Sequence, residues 1–337
     1  MKAALVNPMG LDNLRIVDVP EVQPGAGQVL VALKAASLNY RDILAVEGGY
    51  GSMQKQESLI PLSDGAGEII AVGEGVREWK VGDRVVGTFF PDWQAGPLRV
   101  EAVMTDLGGR MDGVAVEQRV FRADALVKIP DNMSFMEAST LPCAAATAWN
   151  AVIENGKVGP GMTVLTQGTG GVSLFALQFA VMAGAEVYAT SSSDDKLARL
   201  KELGASHVVN YREDAEWGKT VMKMSRGRGI DHVVEIGGAS TLKQSMRCSA
   251  LGGMISMIGV VGGPKAELNV PIVAMQDMVI RGANAGSRVA LKRMVAAMGH
   301  HGVKPVIDSK VFGLSELKDA LVYLKSGQHI GKVCIEI

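Results

Sequence analysis

The first 123 residues alternate short runs of β-branched and apolar residues with turn residues. The stretches PGAG (24–27) and VGD (81–83) illustrate the turns. The runs that predict strands are residues 2–6, 15–19, 29–36, 67–72, 83–87 and 116–122. Short strands separated by such turn signals are typical of a compact antiparallel barrel. The segment 92–112 shows no period, and we expect it to be a surface loop.

From about residue 124 the pattern changes, and apolar strand-like runs alternate with helical periodicity. The runs that predict strands are residues 163–167, 186–190, 207–210, 231–236, 254–258 and 279–282. Their starts lie about 20 to 25 residues apart, which is the length of one strand and one crossover helix. Gly184 and Gly204 follow helical runs, as C-terminal caps do. The rhythm predicts a doubly wound parallel sheet, so the fold class is α/β.

The C-terminal part predicts a return to the first domain. Helical runs at 288–300 and 314–325 precede a last strand at 332–337. Because no helix follows this strand, we expect it to join the barrel. The predicted domains are residues 1–123 with 288–337, and residues 124–287.

Composition and charge limit the classes of partner. The chain has 337 residues, of which 47% are hydrophobic and 20% charged, and its net charge is −1. This balance gives no electrostatic reason to expect nucleic acid or an anionic membrane. Three scattered cysteines fit a reducing compartment. No signal peptide is recognisable, and the apolar run 172–183 is shorter than the roughly 20 residues of a membrane span. We therefore expect a cytoplasmic protein.

A glycine-rich turn follows the first strand of the α/β rhythm. The run 163–167 leads directly into Gly168, Thr169, Gly170, Gly171 and Val172, where an apolar helical run begins. Such a turn lets the backbone approach a pyrophosphate, and the helix N-terminus faces the anion. The turn is therefore predicted to bind a dinucleotide. Ser173 replaces the third glycine of the fingerprint, so we expect the helix to pack slightly further from its strand.

The end of the second strand favours NADP over NAD. NAD-specific folds carry an acid there, which accepts hydrogen bonds from the ribose hydroxyls. Here the position is Ser191, followed by Ser192, and a small hydroxyl leaves room for a 2′-phosphate. Lys196 can neutralise that phosphate. The predicted cofactor is NADP.

Motifs along nearly the whole chain carry a family resemblance. They are SLNYRDILAVEGGY (37–50), PLSDGAGEIIAVGEGV (61–76), VGDRV (81–85), LPCAAATAW (141–149), QGTGGVSLFALQFA (167–180), ELGASHVVNYRE (202–213) and IGKV (330–333). Together they resemble the medium-chain dehydrogenase/reductase superfamily, and within it the zinc-independent, quinone oxidoreductase-like branch. The resemblance implies a GroES-like β-barrel catalytic domain, a Rossmann cofactor domain and a homodimer.

The resemblance also implies further cofactor contacts. Tyr211 matches a tyrosine that holds the 2′-phosphate together with the lysine. Thr147 matches a contact to the nicotinamide amide, and Lys332 a C-terminal contact near the nicotinamide. The turns after the fourth, fifth and sixth strands are expected to line the cofactor groove with Gly237, Gly238, Gly259, Val260, Ala283 and Asn284.

A zinc site is not expected. Residues 1–142 contain no histidine and no cysteine, although zinc needs three or four such ligands. The three zinc-ligand positions of the resembling zinc enzymes match Asn39, Ser63 and Cys143. The acid beside the second of these ligands matches Asp64. We therefore predict no metal.

In the resembling superfamily, oxidation of an alcohol relies on zinc, whereas hydride delivery to an electrophilic acceptor needs less help. A hydrogen-bond donor would stabilise the developing oxyanion, and the candidate donors are Asn39, Tyr40 and Tyr50. Asn39 has the alternative of stabilising a turn, and Tyr40 that of packing against the cofactor. Arg41 and Asp42 are expected to form an ion pair that holds the turn. Two roles are open for the aromatic side chains of Phe89, Phe90 and Trp93. They either form a flat surface against which the acceptor packs, or they belong to the hydrophobic core.

The sequence thus predicts an NADPH-dependent, zinc-independent reductase of quinones or other activated carbonyl compounds. The alternatives are an enoyl or 2-alkenal double-bond reductase, an alcohol dehydrogenase, and a non-catalytic NADPH-binding protein. The expected partner is a small electrophilic acceptor.

Overall fold

The structure, a computed structural model, describes residues 1–337 and divides into two compact units. The first unit contains Met1–Ala146 and Ala285–Ile337, and the second contains Thr147–Asn284. The boundaries predicted from the sequence, at 123/124 and 287/288, differ from these. Residues 124–146 belong to the first unit because Leu126–Lys128 forms a strand that pairs with Arg84–Gly87.

The strands follow the predicted pattern closely. They are β1 (Lys2–Val6), β2 (Leu14–Asp18), β3 (Gln28–Ser37), β4 (Asp64–Val72), β5 (Arg84–Gly87), β6 (Gln118–Arg122), β7 (Leu126–Lys128), β8 (Thr163–Gln167), β9 (Glu186–Ser191), β10 (His207–Asn210), β11 (Ile230–Glu235), β12 (Ser249–Met257), β13 (Val279–Gly282), β14 (Ile307–Gly313) and β15 (Lys332–Glu336). The sequence did not predict β7 or β14.

The helices are concentrated in the second unit and near the C-terminus. They are α1 (Tyr40–Val46), α2 (Val100–Val103), α3 (Phe135–Ser139), α4 (Ala146–Trp149), α5 (Gly171–Met182), α6 (Asp194–Glu202), α7 (Trp217–Met224), α8 (Leu242–Cys248), α9 (Val270–Met275), α10 (Arg288–His301) and α11 (Leu317–Ser326). Turns of π-helix cover Leu141–Ala145 and Asn150–Asn155. No helix combines the length and apolar character that crossing a membrane requires.

The long strand β3 organises the first unit. One of its edges pairs along most of its length with β4, and the other pairs first with β6 and then with β15. The last strand of the chain therefore returns to the barrel, as predicted. In the seven-stranded sheet the order is β14-β15-β3-β4-β5-β7, with β6 on β3. This arrangement brings the start of α1, which follows β3, close to the start of β15.

The second unit contains a six-stranded, fully parallel sheet in the order β10-β9-β8-β11-β12-β13. This is the strand order of the doubly wound dinucleotide fold, with the order reversing beside β8. Helix α5 buries Phe175 and Phe179. Each such side chain contributes about 1.5–3 kcal/mol by its burial. The glycine turn before α5 is thus set on a rigid strand and a rigid helix.

The segment 92–112 is not the plain surface loop that its lack of period predicted. It contains α2, and Trp93, Ala102 and Leu107 are buried. Asp106 is buried as well and accepts hydrogen bonds from Arg41 (2.6 Å) and Arg110 (2.9 Å). The segment lacks a period because single apolar anchors and ion pairs hold it, rather than a repeating face.

Candidate active site

The glycine turn between β8 and α5 has the geometry of an anion cradle. Gly168 has φ +78°, a left-handed conformation that favours glycine, and its N–H donates to Thr190 O at 2.7 Å. A Cβ on Gly170 would meet nothing within 4 Å, so open space lies in front of the turn. No side chain caps α5, which leaves its first N–H groups available to an anion. The turn therefore fits a dinucleotide pyrophosphate.

The hydroxyl of Ser173 has a hydrogen-bond partner in the neighbouring strand. Its side chain is buried, and its Oγ donates a 2.5 Å hydrogen bond to Gln167 O at the end of β8. The serine thus ties helix to strand at the position of the third glycine.

The candidate 2′-phosphate corner combines the ends of β9 and β10. Ser191 is the last residue of β9 and is buried, and its carbonyl accepts from the N–H of Tyr211 at 3.0 Å. The Tyr211 side chain is exposed. Ser192 follows the strand, and Lys196 lies in the first turn of α6. The structure thus places Tyr211 beside Ser191, and the part of Lys196 in binding a 2′-phosphate stays a prediction.

The turns after β11, β12 and β13 stand at the carboxyl ends of parallel strands, where this fold binds its cofactor. Gly259 requires glycine, because a Cβ would lie 2.2 Å from Ile236 O. Val260 is exposed. Ala283 donates to Met257 O at 3.0 Å, and Asn284 O accepts from Asn150 Nδ2 at 2.9 Å.

The turn after β11 is held by Glu235, which the sequence analysis did not single out. This fully buried carboxylate accepts hydrogen bonds from Gln167 Nε2 (2.9 Å) and from the N–H groups of Gly237 (2.8 Å) and Gly238 (3.0 Å). The hydroxyl of Ser245 donates to it as well. An acid at the end of a buried strand, two residues before a glycine pair, is the signal that could have identified it. Thr147 begins the second unit and is buried, and its nicotinamide contact stays a prediction.

In the first unit, Asn39 and Lys332 meet, although they are far apart in the chain. Asn39 is the N-cap of α1, and Lys332 begins β15. The Lys332 ammonium donates to Asn39 Oδ1 at 2.6 Å and to Leu38 O, and it lies 3.8 Å from Asp64 Oδ2. Asn39, Asp64 and Lys332 are all buried. We refer to Leu38, Asn39, Asp64 and Lys332 as the Lys332 cluster.

Asp64 is tied into the Lys332 cluster from its other side. Ser63 Oγ donates to Asp64 Oδ1 at 2.6 Å, and the Cys143 N–H donates to Asp64 Oδ2 at 3.1 Å. Burial, followed by the negative charge of Asp64, raises the pKa of the Cys143 thiol. A protonated thiol is a poor nucleophile.

The two tyrosines differ in their surroundings. Tyr40 is exposed at the start of α1, whereas Tyr50 is half-buried. Burial raises the pKa of Tyr50, so its hydroxyl is a donor at neutral pH. The guanidinium of Arg41 lies 5.9 Å from the Tyr50 ring centre and 4.7 Å from the Phe89 ring centre.

The Arg41–Asp42 pair is looser than expected. Its closest atoms are 3.9 Å apart, because the guanidinium bonds to Asp106 instead. Asp42 accepts a 2.7 Å hydrogen bond from the backbone N–H of Asn39 and stabilises the start of α1. Burial raises the pKa of Asp42 to about 6.

The aromatic side chains of Phe89, Phe90 and Trp93 are buried and pack on one another, as residues of a hydrophobic core do.

The donor set of the first unit does not fit a zinc ion. No group of three or more His, Cys, Asp or Glu side chains is placed to hold a metal. The positions that the resemblance matches to zinc ligands are Asn39, Ser63 and Cys143, and the Lys332 ammonium donates to the first of them. A buried cation at this place opposes the binding of a second cation.

Comparisons with known proteins agree with this architecture. The model of the alcohol dehydrogenase GroES-like domain matches residues 25–131, and that of the zinc-binding dehydrogenase domain matches residues 171–300. A zinc-type alcohol dehydrogenase-like protein of Schizosaccharomyces pombe is 45% identical over 336 residues, which span 97% of this chain and 96% of the relative.

Solved structures extend the similarity. A protein of Sinorhizobium meliloti, provisionally assigned to the alcohol dehydrogenases, is 38% identical with a TM-score of 0.93, over 100% of this chain and 98% of that one. An NAD-dependent alcohol dehydrogenase is 31% identical with a TM-score of 0.91 over both complete chains. With its GroES-like barrel and its Rossmann unit, the chain belongs to the medium-chain dehydrogenase/reductase family of oxidoreductases.

Proposed function

We propose that the protein is an NADPH-dependent reductase of activated carbonyl compounds, such as quinones, that works without zinc. The observation that carries this proposal is the Lys332 cluster, in which an asparagine amide occupies a position that the resemblance matches to a zinc ligand, and a lysine ammonium is bonded to that amide. Electrophilic acceptors suit such a site because they do not need a metal to lower the pKa of an alcohol.

The chemistry supplied by the bound dinucleotide is a hydride, which carries two electrons to the acceptor. The acceptor oxygen then carries negative charge. A proton taken up at oxygen completes the hydroquinone, whereas a proton taken up at the α-carbon of an enolate completes the saturated carbonyl compound. The task left to the protein is to orient the acceptor, exclude water and stabilise that oxyanion. Asn39, Tyr40 and Tyr50 are the donors we propose for it.

The preference for NADPH rests on the corner of Ser191, Lys196 and Tyr211. One similar structure is that of an NAD-dependent enzyme, so family membership does not decide the cofactor. Lys196→Ala is expected to weaken NADPH binding by about tenfold or more, because it removes a charge-assisted hydrogen bond to the phosphate. NADH binding should stay unchanged. Lys201→Ala, on the same helix, is the matched control. Tighter binding of NADH than NADPH by the unaltered protein would contradict the assignment.

An alcohol dehydrogenase is the second candidate, since the relatives carry that name. The two functions separate in one experiment. Purified protein is assayed with NADPH against 1,4-benzoquinone, 2-cyclohexenone and trans-2-hexenal, and with NADP⁺ or NAD⁺ against primary and secondary alcohols, with and without added zinc.

We expect NADPH oxidation by the quinone and no gain from zinc. Zinc-dependent alcohol oxidation would favour the second candidate, and preference for the enal or the enone would indicate a double-bond reductase. A protein that binds NADPH but turns over no acceptor would be a binding protein rather than a reductase.

We also propose a cytoplasmic location, which the three free cysteines fit.

A further inference from the structure

The Lys332 cluster contains an unsatisfied hydrogen-bond donor. Asn39 is 9% exposed, and its Nδ2 is buried without any hydrogen-bond partner in the protein. An unpaired buried amide costs stability, and such groups are few in folded proteins. This donor therefore calls for an acceptor that the protein itself does not provide.

Lys332 determines which end of the Asn39 amide is left unpaired. An ammonium has three donors and no acceptor. At 2.6 Å, the atom of Asn39 that faces Lys332 Nζ must therefore be the oxygen. Turning the amide over would set its NH₂ group against the ammonium, with donor facing donor. The position of Lys332 thus forces Nδ2 to be the free end.

The ammonium is itself held firmly. It donates to the carbonyl of Leu38, one residue before Asn39, and lies 3.8 Å from Asp64 Oδ2. Asp64 in turn accepts hydrogen bonds from the Ser63 hydroxyl and the Cys143 N–H. Because a hydrogen bond from a cation to Oδ1 polarises the amide, the N–H groups of Nδ2 become stronger donors.

We propose that Lys332 is a positioning residue, which orients and polarises Asn39 so that Nδ2 donates to the acceptor oxygen during reduction. The proposal rests on the proposed function and deepens it, since it assigns the oxyanion donor and its support. It also gives Lys332 a role other than the cofactor contact that the family resemblance implies. An acceptor of this site is then a compound whose carbonyl oxygen gains negative charge as hydride arrives at carbon.

The orientation is tested without turnover by NMR of protein labelled with ¹⁵N-asparagine. Asn39→Asp assigns the Asn39 side-chain amide signals by their loss. Lys332→Met is expected to shift these signals and to speed their hydrogen exchange, and Lys332→Arg to restore them in part. Unchanged Asn39 signals in Lys332→Met would overturn the positioning role. If Lys332→Met leaves Asp64 unpaired and the protein unstable, the double variant Asp64→Asn/Lys332→Met keeps the site neutral and answers the same question.

Kinetics with NADPH and 1,4-benzoquinone test the donor. Asn39→Asp keeps an oxygen toward Lys332 but replaces the donor with an acceptor, so kcat should fall by about 10²-fold. Lys332→Met should lower kcat in the same direction, with partial rescue by Lys332→Arg. NADPH affinity, measured by fluorescence, should stay unchanged in all three variants. Weaker NADPH binding with unchanged kcat would make Lys332 a cofactor contact and overturn the proposal.

The two proposals fail in different ways. If the unaltered protein turns over no acceptor, the proposed function fails and the donor role of Asn39 fails with it. If turnover is normal but Asn39→Asp retains full kcat, the proposed function stands and the assignment of the donor is overturned.

Discussion

His232 is a buried imidazole that couples stability to pH. It lies in β11, where Nε2 is 3.0 Å from Ser256 Oγ and Nδ1 has no partner. Burial lowers its pKa from 6.5 to about 4. Between these values the unfolded chain binds the proton and the folded chain does not, so the free energy of unfolding falls as pH falls through this range.

We predict that this loss amounts to roughly 3 kcal/mol between pH 7 and pH 4. His232→Gln keeps a polar side chain but does not titrate, so its curve should lack this contribution. Urea unfolding followed by circular dichroism over this range measures both proteins. Parallel curves for the two proteins would contradict the burial of a neutral imidazole.

Asp42 should act in the opposite direction. Burial raises its pKa from 3.8 to about 6, so the folded chain holds a proton that the unfolded chain has lost. Its contribution to the free energy of unfolding therefore decreases by roughly 3 kcal/mol as pH rises from about 4 to 6. Asp42→Asn removes this contribution while its amide oxygen can still accept from Asn39 N–H. The same urea series measures the free energy of unfolding of both proteins. The difference between the unaltered protein and Asp42→Asn should decrease with pH over this range and stay constant above pH 7.

The contact between Asn39 and Lys332 shows what the sequence could not reveal. Both residues stood out in the motifs, but 293 positions separate them. The bond exists because β15 returns to β3 and α1 begins directly after β3. Asp106 was missed for a related reason: its partner Arg41 lies in another motif, and its own segment has no period. Such pairs depend on tertiary register, which no local pattern encodes.

A substitution at Gly170 should affect cofactor binding without affecting folding. Its φ and ψ, −77° and 170°, suit any residue, and an added Cβ would meet nothing within 4 Å. Gly170→Ala should therefore leave the melting temperature unchanged, yet place a methyl group where the pyrophosphate approaches. We expect dinucleotide affinity to fall by about tenfold or more, because a bulky group blocks the close approach that the fingerprint glycine allows. Gly159→Ala, also without a neighbour within 4 Å and outside the turns expected to line the cofactor groove, is the matched control and should bind normally.

Strand prediction succeeded where the period was clear. All six strands of the parallel sheet lie within a few residues of the predicted runs, because a buried strand followed by a crossover helix repeats at a regular distance. The missed strands were β7, which is three residues long, and β14, which alternates weakly and pairs at an edge with β15. Short strands and edge strands form because they pair with a neighbouring strand, rather than because of their own alternation of apolar and polar residues.

The second unit exposes an apolar surface around the edge strand β13. Helix α9 has no buried residue, and Leu251, Val270, Met275 and Val279 are exposed by 81%, 64%, 82% and 44%. Gly252 N–H donates to Gln276 O, so the stretches that carry Leu251 and Met275 are adjacent. An unpaired sheet edge beside apolar side chains is a surface that proteins normally cover. The homodimer expected from the family resemblance would cover it by pairing two such edges around a twofold axis.

Met275→Glu is the sharpest test of this dimer. A twofold axis brings each substituted residue near its own copy or near the partner's apolar patch, so the substitution introduces charge twice into one interface. We expect light scattering to give twice the chain mass for the unaltered protein, and the mass of one chain, 35.5 kDa, for the variant at the same concentration. Met224→Glu, at an exposed methionine on α7 of the same unit, is the control and should remain dimeric. A dimer that survives Met275→Glu would place the interface elsewhere, and a monomeric unaltered protein would leave β13 a free edge.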